Sequence, residues 1–408
     1  MSESSASESS DQECSFEYNL NLTGKLLNKY NIIYDIGKGG LSIVWLGYNI
    51  NDHKYYAIKV QDPEYYEDAI DEINFVKKLP VDPPYFNNIV DSFTHIVNNK
   101  KYMCSVWNLH ACSLDNIINS EKYNNGIPYD ITNKIMYQLA SAIDILHNKL
   151  NVYHGDIKPD NIFIKGISKK NKEICDLYNK ANFINQYILK KQQVWLSQNK
   201  DIKNIHKMKS ADKLLIRCEI HKKIVDEIIN KNYDDDIILT LDNCNISLGD
   251  FGTYCSFDDY HTGSFGTRYY IAPEIILKGK CSYPVDIWAF GCTYYELLSG
   301  NILFNPIKDH NFSRDYYHLC LINDTCGDFY INFIQSTNKY RDFFKKNGTL
   351  INYKKPNTCR LDRKINEISA QLKQDNLNNI KILLKLCLTE PNSRAPIKTL
   401  LHLIKAYG

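Results

Sequence analysis

Val152-Tyr153-His154-Gly155-Asp156-Ile157-Lys158-Pro159-Asp160-Asn161-Ile162-Phe163 is the stretch on which the reading of this 408-residue chain turns. A carboxylate, an ammonium and an amide fall within six positions, Asp156 to Asn161, between short apolar runs. Asp156 can accept a proton from a hydroxyl, Lys158 can neutralise an anionic oxygen as charge moves, and Asn161 can offer an oxygen ligand to a divalent ion. A polar loop would rarely place these three groups in this order by chance. The run just upstream, NKIMYQLASAIDILHNKL, carries the amphipathic spacing of a long helix.

Downstream, Leu248-Gly249-Asp250-Phe251-Gly252 supplies a second carboxylate for a metal. Mg²⁺ is commonly held by one or two carboxylates together with phosphate oxygens. Gly266-Thr267-Arg268-Tyr269-Tyr270-Ile271-Ala272-Pro273-Glu274 follows, and Asp286-Ile287-Trp288-Ala289-Phe290-Gly291 opens an apolar helical run. Pro391-Asn392-Ser393-Arg394 stands near the end. Glu274 and Arg394 are expected to form a buried ion pair across distant sequence, one whose disruption costs about 3–5 kcal/mol.

The N-terminal third reads differently. YNIIYDIG, SIVWLGYNI and KYYAIKV are short β-branched and aromatic runs separated by turns, and EYYEDAIDEINFVKKL has helical spacing. Gly37-Lys38-Gly39-Gly40-Leu41-Ser42-Ile43-Val44 lies between two of the strands. Its glycines would let the backbone approach phosphates without a Cβ clash. The flanking strands set it apart from a dinucleotide fingerprint, whose glycines lead into a helix. Lys59, in Ala57-Ile58-Lys59, sits within an apolar strand and is costly to bury unless paired. Its expected partners are nucleotide phosphates and a carboxylate: Glu72, beside Ile73, is preferred, and Asp71 competes.

Between the catalytic-loop run and Asp250 lies a stretch, about 166–240, rich in Lys, Asn and Gln and ending in Asp234-Asp235-Asp236. It reads as an insertion of partly helical or disordered character, either solvated or serving as a basic anchoring surface. Residues 1–28, opening MSESSASESSDQE, read as a disordered Ser- and acid-rich tail and not as a signal or transit peptide. Formal net charge is only +2, so no whole-molecule field recruits nucleic acid or an anionic membrane. Thirteen scattered cysteines without a C-x-x-C pair suggest reduced thiols, not a zinc site. A cytoplasmic or nuclear, monomeric protein is expected.

The order of these segments resembles the protein-kinase signature set: Gly-rich loop, strand lysine, catalytic loop, D-F-G and A-P-E. The resemblance implies an α+β, two-lobed kinase fold, with a small β-rich N-lobe over 29–107 and a mainly helical C-lobe over 108–408 that carries the 166–240 insertion. It implies ATP in the cleft and two Mg²⁺ ions. Asp156, Lys158, Lys59 and Glu72 would then be the catalytic residues, and Asn161 and Asp250 the metal ligands. The nucleotide would meet Ile36, Gly37, Lys38, Gly39, Gly40, Leu41, Ser42, Ile43, Val44, Ala57 and Lys59, with Trp107 and Leu109 in the hinge Val106–Leu109. Lys158 and Thr267 resemble serine/threonine-specific kinases, so the substrates implied are protein hydroxyls. A catalytically weak pseudokinase or scaffold is the alternative; a small-molecule kinase would usually lack Ala272-Pro273-Glu274.

Within the family the chain is most similar to SR-protein kinases, on Leu41-Ser42-Ile43-Val44-Trp45, Asp71-Glu72-Ile73, the spacer, Leu303-Phe304-Asn305-Pro306, Ser313-Arg314-Asp315 and His318. That implies substrates rich in Arg-Ser. Ile271 stands where relatives usually carry arginine, Phe251 where D-L-G is usual, and the acids after Arg314 are reduced to Asp315. Gly155 replaces the arginine with which many kinases hold a phosphorylated activation loop, which implies activity without that modification.

Overall fold

A computed structural model describes residues 21–179, 241, 244–259, 265–307, 312–353, 360–368 and 372–407. In chain order these form β1 (Leu26–Leu27), β2 (Tyr30–Lys38), β3 (Ser42–Asn49), β4 (Tyr55–Gln61), α1 (Tyr66–Val76), β5 (Ile89–Val97), β6 (Lys100–Trp107) and β7 (His110–Ser113). Next come α2 (Leu114–Ile118), α3 (Tyr129–Lys149), β8 (Val152–Tyr153), β9 (Ile162–Lys165), α4 (Lys169–Asn179), β10 (Ile246–Leu248) and β11 (Cys255–Ser256). The chain continues with α5 (Pro273–Ile276), α6 (Pro284–Ser299), α7 (Arg314–Cys326), α8 (Ile331–Gln335) and α9 (Tyr340–Phe343). It ends in α10 (Arg360–Ile368), α11 (Gln374–Cys387) and α12 (Ile397–Tyr407).

The described residues fall into two compact units. The first holds residues 21–77, 88–109 and 169–179. Its antiparallel sheet runs in the order β1-β2-β3-β4-β6-β5. Alternation along the strands gives the sheet two different faces. One face buries Ile43, Trp45, Tyr56, Ile58, Val60, Cys104 and Val106 in a continuous core. The opposite face carries Val44, Leu46, Ala57 and Lys59, with Val44 paired to Lys59 and Leu46 to Ala57 in the β3–β4 register. On this second face α1 packs Ala69 and Ile73 against Met103. At the other end α4 buries Ile174 against Ile33, Tyr34 and Leu46. The start of the 166–240 stretch is thus a helix in the core of the β-rich unit; residues 180–240 lie outside the described residues.

The second unit holds residues 78–87, 110–168 and the described residues from 241 onward. Its centre is α6, mostly apolar and buried along nearly its whole length, as expected of a helix enclosed by others. α6 packs against α3 and α11, and α12 closes over α3. Two small sheets, β10-β9-β7 and β11-β8, lie on this helical body and hold the loops that follow β8, β9 and β10. Helix boundaries follow local chemistry: Pro128 precedes α3, Pro284 opens α6, and Gly300 ends α6 in the left-handed region at φ 69°. Among the described residues no helix is long and apolar enough to cross a membrane, and every described cysteine is a free thiol.

Candidate active site

In the β-rich unit Lys59 Nζ lies 2.9 Å from Glu72 Oε2. Glu72 is buried on the inner side of α1 and Asp71 is exposed, so helical phase decides between the two carboxylates. The pairing offsets the cost of holding an ammonium in an apolar strand. It also directs the ammonium along the face that carries Val44 and Ala57. Gly37 to Val44 form the β2–β3 hairpin, whose tip is closed by Gly39 N–H donating to Ser42 O at 2.9 Å. A Cβ on Gly40 would meet nothing within 4 Å, so that backbone stands open to a ligand. Ile36 and Leu109 are partly buried beside the cluster around Ile174. Trp107 is buried and donates its indole N–H to Ser105 Oγ at 2.8 Å.

In the helical unit Asp156 is braced on both carboxylate oxygens. Oδ1 accepts from Thr267 N–H at 2.7 Å. Oδ2 accepts from Asn161 Nδ2 at 3.2 Å and lies 2.9 Å from Lys158 Nζ. Lys158 also donates to Thr267 Oγ1 at 2.5 Å, so both partners lean on the same residue of the segment before α5. Asn161 Nδ2 donates in addition to Asp156 O at 2.8 Å. With its amide nitrogen fixed in this way, the Asn161 carbonyl oxygen is the atom left to meet a cation.

Asp250 is exposed and takes a left-handed conformation, φ 61°. Its neighbours explain how that backbone is held. Asp156 N–H donates to His154 Nδ1 at 3.2 Å, and His154 Nε2 lies 3.1 Å from Gly249 O. Nδ1 is therefore the acceptor, and the proton sits on Nε2 and is donated to Gly249. Buried His154 ties the catalytic-loop backbone to the strand end that carries Asp250, with Phe251 packed 4.9 Å from its ring. Among the described residues no three His, Cys, Asp or Glu side chains gather as a metal cluster. A donor set of one amide oxygen and one carboxylate suits Mg²⁺ that completes its shell with phosphate oxygens and water.

Asp286, at the start of α6, is the residue whose part the sequence did not disclose. Its carboxylate accepts from His154 N–H at 2.8 Å, Gly155 N–H at 2.9 Å and His147 Nε2 at 2.8 Å. Burial would push this carboxyl up, yet the His147 and backbone donors hold it below the usual range. The only hint in the sequence was an acid in the first turn of a mostly apolar helix. Glu274 and Arg394 form the expected buried ion pair, which is bidentate, with Nη2 donating to Oε2 at 2.8 Å. Arg394 also lies over the Trp288 ring.

Negative charge gathers beside this loop. Tyr270 OH donates to Glu296 Oε2 at 2.7 Å. Burial, with lesser contributions from Asp115 and Asp160, pushes the Glu296 carboxyl up to about 7. The Asp115 carboxyl is raised by burial and by Asp160. Arg268 pairs with Asp315, so the one acid retained after Arg314 is already engaged.

Comparison with known proteins gives a consistent picture. The protein kinase domain family matches residues 30–197 and 233–403. The chain is 26% identical over 330 residues to the serine/threonine-protein kinase SRPK of Physarum polycephalum, covering 79% of this chain and 72% of that one. It is 25% identical over 387 residues to protein kinase dsk1 of Schizosaccharomyces pombe, covering 80% and 71%. It is 22% identical over 438 residues to SRSF protein kinase 3 of Mus musculus, covering 80% and 77%.

Proposed function

Because the chain belongs to the protein kinase domain family and is a serine/threonine protein kinase, a family that uses ATP and Mg²⁺, we propose how its own residues carry the transfer and which proteins it modifies. Asp156 accepts the proton of the substrate hydroxyl as its oxygen attacks the γ-phosphorus. The bond to the leaving ADP oxygen breaks in the same displacement. Lys158 stabilises the equatorial oxygens of the transferring phosphoryl group. Lys59, positioned by Glu72, takes the α- and β-phosphate oxygens, and the hairpin backbone from Gly37 to Val44 covers them. Ile36, Val44, Ala57, Trp107 and Leu109 supply the base-binding surface. Asn161 and Asp250 would hold Mg²⁺, which would supply charge neutralisation at the phosphates. The observation that carries this reading is the bracing of Asp156 on both oxygens by Thr267, Asn161 and Lys158. It fixes a base and a cation side by side at the segment that would present a peptide.

The substrates proposed are proteins whose acceptor serines lie among arginines, phosphorylated by a monomer that needs no nucleic acid. Similarity to the SRPK of Physarum polycephalum and to SRSF protein kinase 3 of Mus musculus supports this. The test is transfer of labelled γ-phosphate to an Arg-Ser repeat peptide and to a peptide with isolated serines among neutral residues, with Asp156→Asn alongside. Preferred labelling of the Arg-Ser peptide, lost in Asp156→Asn, is expected. Equal labelling of both peptides would refute the substrate preference. Labelling that persists in Asp156→Asn would refute the assignment of the base.

A further inference from the structure

The sheet face that carries Val44, Ala57 and Lys59 is bounded by two helices of different origin. α1 packs at the Met103 end and brings Glu72 to Lys59. α4, contributed by the lysine-rich spacer, packs at the Tyr48–Tyr55 end of the same strands. Ile174 of α4 is fully buried among Ile33, Tyr34 and Leu46, and Ile36 and Leu109 pack against that cluster. Polar contacts fix the helix in place. Tyr34 OH donates to Asn171 Oδ1, Tyr55 OH donates to Cys175 O at 2.9 Å, and Lys170 lies over the Tyr34 ring. A solvated linker would show neither a residue at 0% exposure nor three separate anchors within six positions.

We propose that α4 is the outer wall of the nucleotide site and that Ile174 is a positioning residue for ATP, acting through Ile36 and Leu109. The inference rests on the reading that Ile36, Ala57 and Leu109 contact the base. Interiors are close-packed, so a void at Ile174 is felt by the side chains that lean on it. With α4 removed, Leu46, Tyr48 and Tyr55 would face solvent, and Ile36 and Leu109 would lose a packing partner. Every kinase needs α1 to place its carboxylate; here the spacer gives the face a second boundary. Nucleotide affinity therefore depends on the inserted segment in this chain.

The experiment uses the full chain and reads ADP binding in the presence of Mg²⁺ by calorimetry, melting temperature, and steady-state kinetics with ATP and a serine peptide. Ile174→Ala is expected to weaken ADP at least fivefold and raise KM for ATP by a similar factor, with kcat and the peptide KM within twofold. Ile174→Leu is expected to restore both. Leu27→Ala, a cavity of similar burial in the opposite core, is expected to lower the melting temperature without weakening ADP. Unchanged ADP affinity in Ile174→Ala, or equal loss in Leu27→Ala, overturns the inference. Should Ile174→Ala fail to fold, Tyr34→Phe decides: it removes one hydrogen bond and is expected to weaken ADP about twofold, and no change overturns the proposal. Ala57→Leu separates this inference from the reading beneath it. Nucleotide affinity that survives Ala57→Leu removes the base from this face altogether. Affinity lost there but kept in Ile174→Ala removes only the role of α4.

Discussion

The Glu296 carboxyl shows how one buried group sets a pH dependence. Burial next to Asp115 and Asp160 raises it to about 7, well above the ordinary value of 4.5, even though Tyr270 donates to it. Its folded-state value exceeds its unfolded one, so the native state binds the proton more tightly. The stability it contributes is fully present below pH about 4.5 and is lost as pH rises toward 7, by roughly 3 kcal/mol in total. Melting temperature measured from pH 5 to 8 is expected to fall across this window. In Glu296→Gln, which keeps the Tyr270 hydrogen bond without a titrating proton, that part of the slope should vanish. At the same scale, Glu72→Gln removes the charge of the carboxylate that Lys59 meets at 2.9 Å while keeping the shape of α1. A tenfold or larger loss in kcat/KM for ATP with little change in melting temperature is expected; unchanged kinetics would dissociate the pair from nucleotide binding.

At the scale of elements, the segment that leads into α5 is attached directly to the catalytic loop. Gly155 takes φ +82°, and a Cβ there would meet Thr253 O at 2.7 Å. Gly266 takes φ +78°, and a Cβ there would meet Gly155 O at 2.7 Å. Two glycines thus let the two backbones touch, and Thr253 Oγ1 donates to His154 O at 3.0 Å. A side chain at 155 reaching for a phosphate has no room in this arrangement. Full activity after exhaustive phosphatase treatment is the expected outcome; activity lost and then restored by phosphorylation at Thr262 or Ser264, which lie outside the described residues, would refute it. Gly155→Arg is expected to lose activity from strain and overlap alone. The other anchor of this segment is the Glu274–Arg394 pair, which joins α5 to the turn before α12. Glu274→Ala leaves a buried guanidinium unpaired, and chemical denaturation should register a loss of about 3–5 kcal/mol.

At the scale of the whole molecule, the 79–80% of this chain that aligns with kinases of 22–26% identity leaves its specificity to particular residues. One of them is an acid that the pattern keeps, and the other departs from it. Asp315 is held by Arg268, and Ile271 is buried where relatives usually carry arginine. Deleting residues 181–239 while keeping α4 is expected to leave nucleotide affinity within twofold, whereas a deletion that includes α4 lowers it. The pair of deletions assigns any change in localisation or substrate choice to the stretch beyond α4.

The sequence by itself determined the reaction class, the strand and helix character of most segments, and the partnership of Glu274 with Arg394. The first two follow from short-range order, and the ion pair from the cost of burying a charge alone. Asp156, Lys158 and Asn161 lie within one turn of chain, the 2.0 and 3.6 periods are local, and an acid and a base in apolar surroundings must find each other. Helical phase on a real sheet was needed to choose Glu72 over Asp71, because both acids adjoin the apolar stripe and only burial separates them. The use of Asp286 as a backbone acceptor, the tautomer of His154 and the closeness of Gly155 to Gly266 are contacts between residues about a hundred or more positions apart. The allegiance of α4 was hidden for the same reason. Its composition is that of a solvated lysine-rich linker, and one isoleucine at the right phase is an ordinary pattern. Only the tertiary structure supplies the open end of the sheet face that this isoleucine fills.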